Sequence, residues 1–192
     1  MNRLKLVAVS GNPASPSRTR VLVDLIADAV EQRVPVERHV VEMSDTGPLL
    51  AQSHFRSQLS PAAESRVALV ESADLLIVAS PVYRGSYTGL FKHLFDLVDM
   101  NALAGKPVIL AASGGSERHT LVIDHQLRPL FSFFMCVTIP TGVYATEDDF
   151  RDYRLVSAPV AARIEAAADE TMRILGVPPA AQTAGRLAVA GV

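Results

Sequence analysis

The sequence predicts an α/β protein: a doubly wound sheet of five parallel strands with helices on both faces. Three observations carry this prediction. Short apolar runs alternate along the chain with stretches of helical period, the pattern of successive strand–helix–strand units. The most hydrophobic run, Asp74–Ser80, is apolar almost without interruption, as a strand buried on both faces must be. No internal repeat is present, and 192 residues suit a single domain.

The elements follow in order. Leu4–Val9 reads as a buried first strand. Thr19–Glu31 places Val21, Leu22, Leu25, Ile26 and Ala29 at spacings of three and four, one apolar face of a helix. Val34–Met43 alternates and carries charges, which suits an edge strand. Ser44–Leu59 contains Gly47 and Pro48, lacks a clear period and reads as a long functional loop. Ser60-Pro61 opens a helix, with Ser60 as cap, Pro61 at the first position and Glu64 near the positive end. After the Asp74–Ser80 strand, a helix is expected over Thr88–Val98 and a buried strand over Lys106–Ala112. Arg118–Phe134 reads as a long helix kinked or bulged by Pro129. Val137–Tyr144 is the fifth strand, and Ala158–Leu175 a closing amphipathic helix. The domain is expected to span 1–176, with 177–192, which opens on Val177-Pro178-Pro179, a loosely held tail.

Composition excludes several classes. Apolar residues make up 49% and charged residues 20%, ordinary for a globular domain, and a chain of this length needs no disulfide or metal to fold. Eighteen basic and twenty acidic residues give a net charge of −2, which lacks the basic footprint of a nucleic-acid binder. The N-terminus has no cleavage signature and no run approaches a membrane span, so a cytoplasmic protein without membrane attachment is expected. The single cysteine, Cys136, lies in an apolar run and reads as a buried structural thiol. The five histidines show no metal-ligand spacing, so no metal is expected.

Ligands of such sheets lie past the carboxyl ends of the strands, where the strand order switches. After the first strand comes Ser10-Gly11-Asn12-Pro13-Ala14-Ser15-Pro16-Ser17-Arg18-Thr19-Arg20. Hydroxyls, guanidinium groups and a helix start converge there, which suits a phosphate; an ordinary capped loop with Ser17 as N-cap fits the same residues. Neither a P-loop nor a dinucleotide fingerprint is present. After the third strand, Ser80-Pro81-Val82-Tyr83-Arg84-Gly85-Ser86-Tyr87-Thr88-Gly89 offers flat aromatic faces with polar tips, suited to a planar ligand. After the fourth, Ser113-Gly114-Gly115 lets backbone N–H groups approach a ligand closely.

These loops resemble those of the NADPH-dependent FMN reductase family, of flavodoxin-like fold, over about residues 4–175. Its most specific pieces here are the Ser80–Gly89 segment, Lys92 with Leu94-Phe95-Asp96, and Ser113-Gly114-Gly115. Together they are most similar to the flavin reductases that supply reduced FMN to two-component alkanesulfonate and methanesulfonate monooxygenases. The resemblance implies that Ser10, Ser17, Arg18 and Thr19 bind the FMN phosphate. It places Pro81, Val82, Tyr83 and Arg84 along the isoalloxazine, and Ser113, Gly114 and Gly115 at the ring's polar edge. The first loop departs from the family's usual Gly-Ser-x-Arg, reading Ser10-Gly11-Asn12-Pro13, with its arginine later, at Arg18. The stretch Leu121–Leu130 resembles the helix that carries an inserted interface tyrosine in some of these reductases, with His125 in that place. A homodimer or homotetramer built on this helix and on Thr88–Val98 is implied, with His125 tuning assembly or flavin exchange.

The implied chemistry is FMN reduction by NADH or NADPH, with NADH favoured by the methanesulfonate-linked relatives and the reduced FMN passed to a monooxygenase. Hydride transfer belongs to the flavin, so no catalytic acid or base is named. Two alternatives stand beside it. A quinone, azo-dye or chromate reductase with bound FMN shares the same first half-reaction. A non-enzymatic flavodoxin-like electron carrier would be strongly acidic, which −2 does not match. A module that keeps the fold without flavin is a further reading, which the intact loops disfavour.

Overall fold

The computed structural model describes residues 3–177. Strands β1 (Leu4–Ser10), β2 (Val36–Glu42), β3 (Leu75–Pro81), β4 (Pro107–Gly114) and β5 (Val137–Thr138) form a parallel sheet in the order β2-β1-β3-β4-β5. This is the flavodoxin-like order, with its switch point between β1 and β3. The expected edge position of β2 is found, and β3 is buried at every residue.

The apolar strands serve two layers because successive side chains point to opposite faces. Val7, Val9, Leu76, Val78, Val108 and Leu110 face one core, where Phe91, Phe95, Phe131 and Phe134 pack together. Leu6, Ala8, Leu75, Ile77, Ile109 and Ala111 face the other, under α1 (Arg18–Glu31) and α6 (Ala158–Ile174). Ser60 caps α3 (Pro61–Glu71) by accepting from the Ala63 N–H at 3.2 Å, and Thr88 caps α4 (Gly89–Asp96) through the Phe91 N–H at 3.2 Å.

Three elements differ from expectation. The segment read as a loop over Ser44–Leu59 holds a helix, α2 (Met43–Leu50), and a short 3₁₀ turn at Arg56–Gln58. Its buried residues Met43, Thr46, Gly47 and Leu50 do keep a helical period. Gly47 looks like a breaker but is a contact: a Cβ there would lie 2.8 Å from Leu90 Cδ1.

The long helix over Arg118–Phe134 is divided into a 3₁₀ turn (Glu117–His119), a π-helical segment (Ile123–Leu127) and α5 (Arg128–Phe133). The expected bulge is therefore real, and it lies in the turn before Pro129. Proline cannot donate to the His125 carbonyl and its ring crowds that group, so widening the preceding turn relieves both effects. His125 is exposed on this segment.

The fifth strand is broken, and its second half, β6 (Val143–Thr146), pairs with β4 at Ala111–Gly114. At the break, Arg128 donates to the Ile139 and Pro140 carbonyls, both at 3.2 Å, and Arg163 donates to that of Gly142 at 2.8 and 3.0 Å. An unanticipated hairpin, β7 (Phe150–Arg151) with β8 (Arg154–Leu155), follows. Cys136 is half-buried, its Sγ donating to the Leu103 carbonyl at 3.5 Å, and burial pushes its thiol up to about 12 despite nearby Lys106. The tail expected over 177–192 lies, apart from Val177, outside the described residues.

Candidate flavin site

The carboxyl ends of β1, β3, β4 and β6 meet at one pocket of about 300 Å³. One wall is the start of α1. The Ser17 backbone is extended and its Oγ accepts from the Arg20 N–H at 3.1 Å, the N-cap geometry. The hydroxyl keeps its own hydrogen to donate. The first intrahelical bond runs from the Val21 N–H, so those of Arg18 and Thr19 have no partner within the helix. With no acidic residue in that turn, this helix end favours an anion. The two arginines part company: Arg18 lines the pocket, whereas Arg20 turns away to pair with Asp24 and Glu42.

A second wall is the turn after β3. The Val82 N–H donates to the Ser113 carbonyl at 2.7 Å, fixing this turn to the end of β4. Tyr83 and Ser86 exchange backbone bonds across Arg84 and Gly85, both at positive φ (53° and 84°), the two-residue turn with left-handed centres. Tyr83 is left half-exposed at the rim.

The third wall is Ser113-Gly114-Gly115. Thr19 Oγ1 and Ser113 Oγ share a buried hydrogen bond of 2.7 Å, which ties α1 to β4 directly behind the pocket. Gly114 has no space for a side chain, because a Cβ would lie 2.2 Å from the Tyr144 hydroxyl. That hydroxyl donates to the Ser116 carbonyl at 2.7 Å, and burial raises its pKa above the usual tyrosine value. Gly11 is similarly confined, a Cβ there meeting Phe91 Cδ2 at 2.8 Å and the Ala79 carbonyl at 3.0 Å.

Ser17, Arg18, Thr19, Pro81, Val82, Tyr83, Ser113, Gly114 and Gly115 thus line one pocket. Ser10 is buried at the end of β1 and Arg84 sits at the tip of its turn; neither lines it. Asn12, Pro16, Thr146, Glu147 and Tyr153 line it without having been singled out from sequence. Among the described residues, no group of histidine, cysteine, aspartate and glutamate could hold a metal, and no helix is long and apolar enough to cross a membrane.

A flavodoxin-like sheet with an anion-suited helix start beside a pocket at its switch point defines an α/β protein of the flavodoxin-like class. The chain belongs to the NADPH-dependent FMN reductase family, which matches residues 4–150. It is 54% identical over 173 residues to the NADH-dependent FMN reductase SfnF of Pseudomonas fluorescens, covering 90% of this chain and 92% of that one. It is 53% identical over 172 residues to an FMN reductase (NADPH) of Pseudomonas aeruginosa, with the same coverage, 90% and 92%. Among solved structures, an oxidoreductase from Corynebacterium diphtheriae superposes with a TM-score of 0.80 at 35% identity, covering 91% of this chain and 97% of that one. Membership makes this chain an oxidoreductase that works with FMN and a reduced nicotinamide.

Proposed function

We propose that the chain reduces FMN as an exchangeable substrate and hands the reduced form to a partner monooxygenase of sulfonate metabolism in the cytoplasm. The observation that carries this reading is the convergence in one pocket of an anion-suited helix start and the Ser113-Gly114-Gly115 turn, where a Cβ on Gly114 would meet the Tyr144 hydroxyl. Ser17, Arg18 and Thr19 receive the phosphate. Pro81, Val82 and Tyr83 lie along the isoalloxazine, and Ser113, Gly114 and Gly115 meet its polar edge. Ser10 and Arg84 stay outside this assignment. When bound, FMN supplies the redox chemistry, accepting a hydride from the nicotinamide, and the protein's task is to orient both rings. NADH is the proposed donor, following the name of the 54% identical relative. Equal initial rates with NADH and NADPH would remove that preference.

The test is spectroscopic. Purified chain should be nearly colourless after dialysis, and adding FMN with NADH under anaerobic conditions should bleach the flavin band. Failure to bleach with either nicotinamide would exclude the reductase reading. A yellow protein that keeps one flavin per subunit through dialysis would exclude the exchangeable-substrate reading and favour a resident-FMN reductase of quinones or dyes.

We infer further that the chain assembles as a homodimer or homotetramer through α4 and the π-helical region. The exposed Leu121 and Phe133 (both 61%) and Met135 (57%) near that region support this reading. Replacing the exposed His125 by alanine should shift the oligomer distribution or flavin affinity, read by ultracentrifugation and titration. A slowed single-turnover hydride step, with assembly and flavin binding intact, would contradict that role.

A further inference from the structure

We propose that Glu147 is a built-in competitor for the flavin phosphate, pairing with Arg18 and thereby loosening FMN binding. The proposal rests on the reading of Arg18 as a phosphate partner. Glu147 lines the same pocket as Ser17, Arg18 and Thr19, and its Oε1 accepts from Arg18 Nη1 at 3.2 Å. The contact joins residues 129 positions apart, from the start of α1 to the end of β6. It is therefore made by the tertiary fold and not by local chain geometry.

The backbone around Glu147 is fixed. Asp149 Oδ2 accepts from the Thr146 N–H at 2.6 Å and from Thr146 Oγ1 at 2.9 Å, while the Phe150 N–H donates to the Glu147 carbonyl at 3.1 Å. Asp149 is thereby committed to its own turn, leaving Glu147 as the carboxylate at the pocket. An incoming phosphate must share Arg18 with that carboxylate or displace it, and in either case sits near it. Each effect disfavours the bound state: the first falls on any ligand that claims Arg18, and the second grows with the charge of the ligand. Riboflavin, which carries no phosphate, meets neither. A protein that must release its flavin every turnover benefits from such a rival, because weakened affinity for related ligands appears mainly as faster dissociation.

The side chains of Arg18 and Glu147 are 43% and 62% exposed, so water and salt moderate the effect. Glu147→Gln in the full chain should tighten FMN binding by about 2- to 5-fold and slow its release, with the gain shrinking at high salt. Riboflavin affinity should not change. Asp148→Asn removes the same charge one residue away and should move FMN affinity less than about twofold. Flavin fluorescence titrations of these variants and of Arg18→Ala separate the possibilities. If Arg18→Ala weakens FMN selectively while Glu147→Gln binds it as the wild type does, or more weakly, the competitor role is overturned and the phosphate assignment stands. If Arg18→Ala affects FMN and riboflavin alike, the phosphate assignment falls and the competitor role falls with it. Equal tightening by Asp148→Asn would reduce the effect to net charge and overturn the specific role of Glu147.

Discussion

Replacing Ser17 and Arg18 together by alanine should weaken FMN binding by about 2–4 kcal/mol, roughly 30- to 1,000-fold, and leave riboflavin binding nearly unchanged. Ser17 keeps a hydroxyl hydrogen to donate while its oxygen caps α1, and Arg18 lines the same pocket. A charge-assisted hydrogen bond is worth about 1.5–3 kcal/mol, reduced here by solvent at the exposed Arg18. Removing the cap also costs the helix about 1 kcal/mol, which a thermal melt will register. Comparing the two flavins isolates the binding effect from that loss, since a general loosening of the pocket penalises both ligands. Equal losses for FMN and riboflavin would mean that the loop supports the fold without reading the phosphate.

Gly114→Ala should impair both flavins alike. The new methyl group would overlap the Tyr144 hydroxyl at 2.2 Å, so either the 113–116 turn or the Tyr144 ring must move. Forcing one extra carbon into packed structure costs about 1–3 kcal/mol, and a displaced turn should cost flavin affinity about tenfold or more. Tyr144→Phe removes the clashing oxygen and leaves the ring carbon Cζ at 3.2 Å, which a small shift accommodates. The single Tyr144→Phe change forfeits a hydrogen bond worth about 1 kcal/mol, yet in the double variant it should restore part of what Gly114→Ala loses. Melting curves and titrations of all four proteins give the coupling directly. Strict additivity of the two changes would show that the turn is not held against Tyr144.

Much of this architecture is legible because strand and helix signals agree at each level. The continuous apolar runs identify β1, β3 and β4, and Ser60-Pro61 marks the start of α3. The helix α2 was hidden because Gly47 and Pro48 signal a loop unless the partner filling the space at Gly47, Leu90, is known. The hairpin of β7 and β8 was hidden for another reason. Its turn residues Asp152 and Tyr153 take positive φ (48° and 59°) without the Asn-Gly or Asp-Gly signature of such turns.

At the start of α1, Arg18 and Arg20 look equivalent in sequence, but two residues turn an α-helix through about 200°, so Arg18 lines the pocket while Arg20 pairs with Asp24 and Glu42. Thr146 and Glu147 did carry a signal: they follow shortly after the Val137–Tyr144 segment read as the fifth strand, whose carboxyl end shares the sheet edge of the loops after β1, β3 and β4. Nothing in sequence ties Tyr153 to that edge, because its placement depends on how the hairpin folds back over it.

Cys136 bears on how this protein withstands its own chemistry. Free reduced flavin reacts with dioxygen to give peroxide, so under the proposed release of reduced FMN the chain would work beside an oxidant of its own making. Peroxide and disulfides attack through the thiolate, and burial raises the Cys136 thiol well above its ordinary value, so little of that form is present at neutral pH. The sole sulfhydryl is thus a poor target for sulfenylation or glutathionylation. The chain has no partner cysteine with which to lock itself into an inactive disulfide. Its output should follow the supply of nicotinamide and flavin and remain insensitive to the thiol redox poise of its surroundings.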